Sequence, residues 1–256
     1  MERAKAVPIL SLLAIVIFTS ALMAMLYRLY YLPPGFDVGA WLTYAKALMG
    51  ASSSVWVARL QPYLVHNALL ALFLKVFGDE ILAAQAFAVL LFVLRPLTTY
   101  LLSLEILGSR SKAVLVSFFV ALHASFFEVW GWGGYPNLLG FALMPLALYF
   151  VTRAIEKRGA RSLLPALAFS LITIPSHLLT ALVLVATIMV WLLIYGAVEV
   201  FLRRKPTREL SRLAFLSSPL VVALLGYAWF AVSGGWFEKN PAALANRISL
   251  GDFVYV

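Results

Sequence analysis

The feature that most constrains this chain is its alternation of long apolar runs with short basic clusters. A helix that crosses a hydrocarbon core needs about 20 mainly apolar residues. By that measure residues 6–31, 81–107, 178–202 and 213–232 qualify easily, and 113–130 and 137–155 are adequate. Residues 163–174 form a shorter run that stops at Pro175. Only 12% of the residues are charged and 63% are hydrophobic, against about 25% charged in soluble domains. The pattern is that of an integral membrane protein. A net charge of +9 then reads as basic loops facing an anionic leaflet and not as a nucleic-acid surface. The absence of cysteine excludes disulfides and thiolate chemistry. The first run is longer than a signal-peptide core and has no small-residue cleavage site, so it is expected to remain as an anchor.

The basic clusters set the orientation. Residues 62–77 are apolar, but they reach only about 24 Å as a helix, short of a core about 30 Å thick. If they do not span, Arg3, Lys5, Arg110, Lys112, Arg153, Lys157, Arg158, Arg161, Arg203, Arg204, Lys205, Arg208 and Arg212 share the inner face, and only Lys46, Arg59, Lys75, Lys239 and Arg247 lie outside. If they do span, nearly every later cluster moves to the wrong side. Residues 62–77 are therefore read as an interfacial or re-entrant helix. The expected fold is all-α and polytopic, with about seven transmembrane helices and the N-terminus inside. A long first outer loop, residues 32–80, carries two juxtamembrane helices. Further outer segments lie near 128–136, near 175–177 and from Ser233 onward. Residues 1–256 form one transmembrane module in a multi-pass cell-membrane protein. The ending Phe253-Val254-Tyr255-Val256 is expected to be a truncation within a longer chain.

Two isolated carboxylates fall on the outer side. Asp37 follows Pro33-Pro34-Gly35-Phe36 and precedes a short helical pattern closed by Gly50, an N-cap position that also orients a carboxylate as a base. Trp41, Tyr44 and Leu48 share a face of that pattern. Glu128 ends a long apolar run beside Trp130, Trp132 and Tyr135, which are interleaved with Gly131, Gly133 and Gly134. Boundary tryptophans serve as anchors, yet three glycines also permit tight turning or close approach to a ligand. An acidic residue near membrane depth is a functional candidate. Asp37 and Glu128 are thus the candidate catalytic pair, and the candidate ligands for a Mg²⁺ or Mn²⁺ ion.

Trp41, Trp130, Trp132, Tyr135 and Asn137 are candidates for holding a sugar. Arg59 and His66 of the first outer loop are candidates for a phosphate, with Lys239 and Arg247 further on. Arg95 stands mid-run in Leu94-Arg95-Pro96, where a guanidinium needs a partner, water or an anionic lipid group. His177, in Thr173-Ile174-Pro175-Ser176-His177, is expected in a wet recess below the outer surface. His123 is most simply a satisfied core residue.

With Gly35-Phe36-Asp37 after the first span, the long outer loop with its two short helices ending at Phe77-Gly78, and Glu128 in the second outer loop, the chain resembles the C-type (GT-C) membrane glycosyltransferases. These include protein mannosyltransferases, aminoarabinose transferases and the catalytic subunit of oligosaccharyltransferase. The resemblance covers essentially the whole chain. It implies transfer of a sugar from a polyprenyl-phosphate-linked donor, among membrane lipids, to an acceptor on the outer face. Asp37 then matches the first-loop carboxylate and Glu128 the second-loop acidic position. Several members carry paired acidic residues in one of these loops, whereas here each stands alone. Two other classes stay open: a transporter or lipid flippase, for which Pro96, Pro175 and Arg95 would argue, and a non-catalytic assembly protein in which Asp37 only caps a helix.

Overall fold

The computed structural model describes residues 2–29, 38–50, 63–131, 133–156, 160–198 and 208–233, and all its regular elements are helical. They are α1 (Glu2–Leu29), α2 (Val38–Leu48), α3 (Leu64–Phe77), α4 (Glu80–Leu107), α5 (Arg110–Ala121), α6 (Ala124–Gly131), α7 (Tyr135–Glu156), α8 (Ala160–Thr173), α9 (Leu178–Val198) and α10 (Arg208–Ser233). Within the described residues, five segments are long and apolar enough to cross a membrane: Ile9–Arg28, Glu80–Leu107, Tyr135–Ile155, Leu178–Val198 and Leu210–Trp229. The fold is that of an all-helical polytopic membrane protein.

Local chemistry explains most helix ends. Gly78 closes α3 in the left-handed conformation, φ 71°, and the Asp79 carboxylate accepts the Leu82 N–H at 2.7 Å to open α4. Gly108, at φ 61°, ends α4 in the same way. A residue with no β-carbon adopts that backbone without penalty.

Two of the expected spans differ from the sequence reading. Residues 113–130 are not one helix: α5 stops at Leu122, whose φ of −98° and ψ of 3° leave the helical region, and α6 starts afresh at Ala124. The break re-aims α6, so that Phe127 and Trp130, one turn apart, both pack their rings on Phe92 of α4. The short run at 163–174 becomes α8 plus a 3₁₀ turn, Ile174–Ser176. The helix contributes about 21 Å and the turn about 6 Å.

Packing divides into two clusters bridged by α7. Near one end, Phe87, Leu91 and Phe92 of α4 meet Met23 and Tyr27 of α1, Trp41 of α2, Leu70 of α3 and Leu138 of α7. The other cluster joins Ala147, Val151 and Ala154 of α7 to Ala166 of α8, Leu184 and Ile188 of α9 and Leu213 and Leu216 of α10. Small residues allow close contact. Ala113, Ser117 and Ala121 line one stripe of α5 and are buried, and the Ser117 hydroxyl donates to the Pro96 carbonyl of α4 at 2.7 Å. In a bilayer such contacts and interhelical hydrogen bonds drive association, since lipid tails are as apolar as leucine.

Arg110, Lys112, Arg153 and Arg212 gather at one end. Arg212 at the start of α10 donates to the Ala154 and Ile155 carbonyls at the end of α7. Arg153 of α7 stands 3.9 Å from Glu105 of α4. The carbonyls at a helix C-terminus carry partial negative charge, which an arginine complements. Arg110 and Lys112 open α5 directly after α4 ends beside this group.

Candidate functional site

The opposite end is an aromatic joint made by residues of α1, α2, α3, α4, α6 and α7. Trp41, the fourth residue of α2, donates its indole N–H to the Gly133 carbonyl at 2.9 Å, a buried bond between residues 92 apart. Gly133 sits in the turn between α6 and α7 at φ 88°, where any other residue would be strained. Backbone bonds close that turn: Gly133 N–H to the Trp130 carbonyl at 3.1 Å, Gly134 N–H to Val129 at 2.8 Å and Tyr135 N–H to Gly133 at 2.8 Å. The α2 helix and the α6–α7 turn are therefore in direct contact.

The α2 helix buries Val38, Trp41, Ala45 and Ala47. Leu48, expected on the same face as Trp41, is 46% exposed. The Trp41 ring meets Tyr63 at 5.2 Å and His66 at 5.6 Å, both edge-on. Aromatic pairs of this kind each contribute about 0.5–1.5 kcal/mol beyond area burial.

His66, a phosphate candidate by sequence, has its side chain inside the protein. It is fully buried, edge-on to Phe87 of α4 at 5.2 Å, with Nδ1 3.0 Å from the Asn67 amide oxygen. The amide oxygen is an acceptor, so Nδ1 carries the proton; Nε2 is buried with no hydrogen-bond partner. Burial pushes His66 down to about 4, opposed by the Asn67 bond.

His177 is half-buried, stacked on Tyr63 with ring centroids 5.6 Å apart and planes 11° from parallel. It caps α9: the Thr180 N–H donates to His177 Nδ1 at 3.4 Å, and the Thr180 hydroxyl lies 3.2 Å from the same nitrogen. Burial lowers His177 to about 4 as well.

Trp130 and Tyr135 are buried, at 6% and 1% exposure. The Trp130 indole donates to the Tyr27 hydroxyl at 3.3 Å, and its ring meets Tyr27 and Phe92 edge-on. Asn137 is half-buried in the first turn of α7. Asp37, Arg59, Trp132, Lys239 and Arg247 lie outside the described residues, as does the side chain of Glu128. The backbone of Glu128 is in α6, one turn before Gly131, and α2 begins at the residue after Asp37. Among the described residues no group of three His, Asp or Glu side chains is placed to hold a metal ion.

Arg95 is in the middle of α4. Its guanidinium lies over the Phe141 ring, 5.5 Å from the centroid, and Phe141 stands about 9 Å of helix inside the Tyr135 end of α7. Glu105, about three turns further along α4, faces Arg153. Arg95 lines a cavity of about 280 Å³ with Val116, Phe119, Val120 and His123. His123 is exposed at the break between α5 and α6, not a core residue. An apolar groove of about 490 Å³ runs along α1 and α5, lined by Ala14, Ile15, Phe18, Val114, Leu115 and Phe118.

Residue type alone did not single out Tyr27, Tyr63, Gly140 or Thr180. Tyr27 and Tyr63 carried a usable signal, since each stands at the edge of an apolar run. Gly140 and Thr180 carried none.

The described chain is an all-helical polytopic membrane protein in which Arg153 and Arg212 mark one end and α2, bonded to the α6–α7 turn, marks the other. The sequence profile described as dolichyl-phosphate-mannose-protein mannosyltransferase matches residues 61–225, well over half of the chain, and the chain belongs to that family. No curated protein and no solved structure matches it.

Proposed function

We propose that the protein transfers a sugar from a polyprenyl-phosphate donor to an acceptor on the outer face of the cell membrane, with Asp37 and Glu128 as the reacting carboxylates. The observation that carries the reading is the Trp41–Gly133 bond, because it joins the two loops that bear these residues. The family description makes mannose the first sugar to test. With the basic end inside, the joint faces outward and about seven crossings follow, α8 and the α5–α6 pair included.

The donor carries an activated leaving group, so the protein's task is positioning, proton removal and charge stabilisation. Asp37 takes the proton of the acceptor nucleophile. Arg95, opening on a cavity with His123, offers a charge-assisted contact to the lipid phosphate. A divalent ion held by Asp37 and Glu128 would add Lewis-acid stabilisation of the phosphate. No step is assigned to it, and donor turnover in EDTA with and without added Mg²⁺ or Mn²⁺ tests that role.

The reading is tested in proteoliposomes with mannose-labelled polyprenyl phosphate. Glu128→Gln is expected to lower turnover at least about 100-fold, as the loss of a group stabilising developing charge does. Turnover equal to wild type removes Glu128 from the reaction. Impermeant maleimide should label Thr43→Cys from outside and Lys112→Cys only after lysis; the reverse pattern overturns the orientation.

A further inference from the structure

We infer that Trp41 is a positioning residue: its bond to Gly133 holds α2 against the α6–α7 turn and fixes the relative placement of the two carboxylate-bearing segments. The inference rests on the reading of Asp37 and Glu128 as the reacting groups and deepens it.

Trp41 has the residue type of a sugar-stacking side chain, but its geometry is that of a strut. An indole has one polar hydrogen, a donor, and Gly133 takes it at 2.9 Å in a buried position. The ring is 9% exposed and is walled by Tyr44, Tyr63 and His66. No polar atom of Trp41 is left to recognise a ligand.

The receiving end is equally specified. The Gly133 carbonyl also accepts the Tyr135 N–H at 2.8 Å, so its direction is set by the turn that starts α7. The turn is in turn locked to α1 and α4 through Trp130, Tyr27 and Phe92. The α6 helix, which carries Glu128, is one end of that turn.

The α2 helix has 11 residues, too few to hold its own position in isolation. Its other polar tie, Lys46 to Glu80, leads to α4 and joins two side chains that are 40% and 49% exposed. Exposed pairs of that kind contribute little. Val38, Trp41 and Ala45 pack α2 on α3 and α4, and the buried indole bond is the polar tie that sets α2 against the turn. A catalytic group misplaced by about 1 Å costs on the order of 100-fold in rate, so loosening this strut acts on chemistry and not on donor affinity.

Because the chain has no cysteine, Thr43→Cys on exposed α2 and Gly131→Cys in α6, where a β-carbon meets open space, report the distance directly when spin-labelled in the full chain. Trp41→Phe keeps a ring and removes the donor; Lys46→Ala serves as the comparator. Trp41→Phe is expected to broaden the 43–131 distance distribution and to lower kcat at least about 10-fold, with KM for the donor within about two-fold. Lys46→Ala should leave both within about two-fold of wild type. An unchanged distribution in Trp41→Phe overturns the strut, whatever happens to kcat. A broadened distribution with wild-type kcat overturns its role in the reaction. If Trp41→Phe fails to fold, Trp41→His, which retains a ring N–H, takes its place with the same distance readout, and wild-type spacing is then expected. A wild-type chain that turns over no donor removes the carboxylate reading, while the distance measurement still decides whether Trp41 fixes α2.

Discussion

A β-carbon added at Gly140 of α7 would lie 2.6 Å from the Thr180 hydroxyl oxygen and 2.9 Å from its Cβ on α9. Those helices touch backbone to side chain at the level where Thr180 also holds His177.

Gly140→Ala therefore forces α9 outward, and Thr180 cannot yield by rotating a flexible tip, because its Cβ is itself in the way. Overpacking of this kind costs about 1–3 kcal/mol. The thermal midpoint in detergent is expected to fall, and Thr180→Ala in the same chain to recover part of the loss. Equal, additive losses in the two single variants and the double variant would show that the contact is not shared.

Acid should loosen the aromatic joint. His66 and His177 have folded values near 4 against 6.5 for an unburied imidazole, both lowered by burial. Between those values the unfolded chain binds more protons than the folded one. Stability is then full above about pH 6.5 and declines as pH falls toward 4. The thermal midpoint should be flat above pH 7 and drop below 6.5, with a shallower drop in His66→Gln. A midpoint that rises on acidification contradicts the buried placement of both rings.

Arg95 is expected to act on donor binding. Removing a charge-assisted hydrogen bond costs about 1.5–3 kcal/mol, which is roughly a 10-fold to 150-fold loss of affinity. Arg95→Gln should raise KM for the polyprenyl-phosphate donor by that range, and Arg95→Lys by less. An unchanged KM in Arg95→Gln would remove Arg95 from donor binding and leave it a structural role that includes its contact with Phe141.

What was legible in the sequence was whatever is written locally. Gly78, Asp79 and Gly108 mark helix ends by their own backbone and capping chemistry, and apolar length separates the long spans from residues 62–77. The break at Leu122–His123 was not legible, because no glycine or proline stands between residues 113 and 130. It follows from α6 packing on Phe92, a tertiary contact. For the same reason Trp41, Trp130 and Tyr135 could be recognised as boundary aromatics, but not as residues whose rings point into the protein. His66 is buried because α2 and α4 close over α3, and its neighbours in sequence, Val65 and Asn67, do not announce that. The Trp41–Gly133 bond spans 92 residues and has no local signature.

The central claim is tested most directly by donor turnover in proteoliposomes holding the wild-type chain or Asp37→Asn, with mannose-labelled polyprenyl phosphate supplied on the outer side. Asparagine caps helices as well as aspartate does, so stability should be kept while the base is lost. The account predicts that wild type frees polyprenyl phosphate and that Asp37→Asn is at least about 100-fold slower at the same thermal midpoint. Equal turnover by the two chains, or none by the wild type, would contradict it.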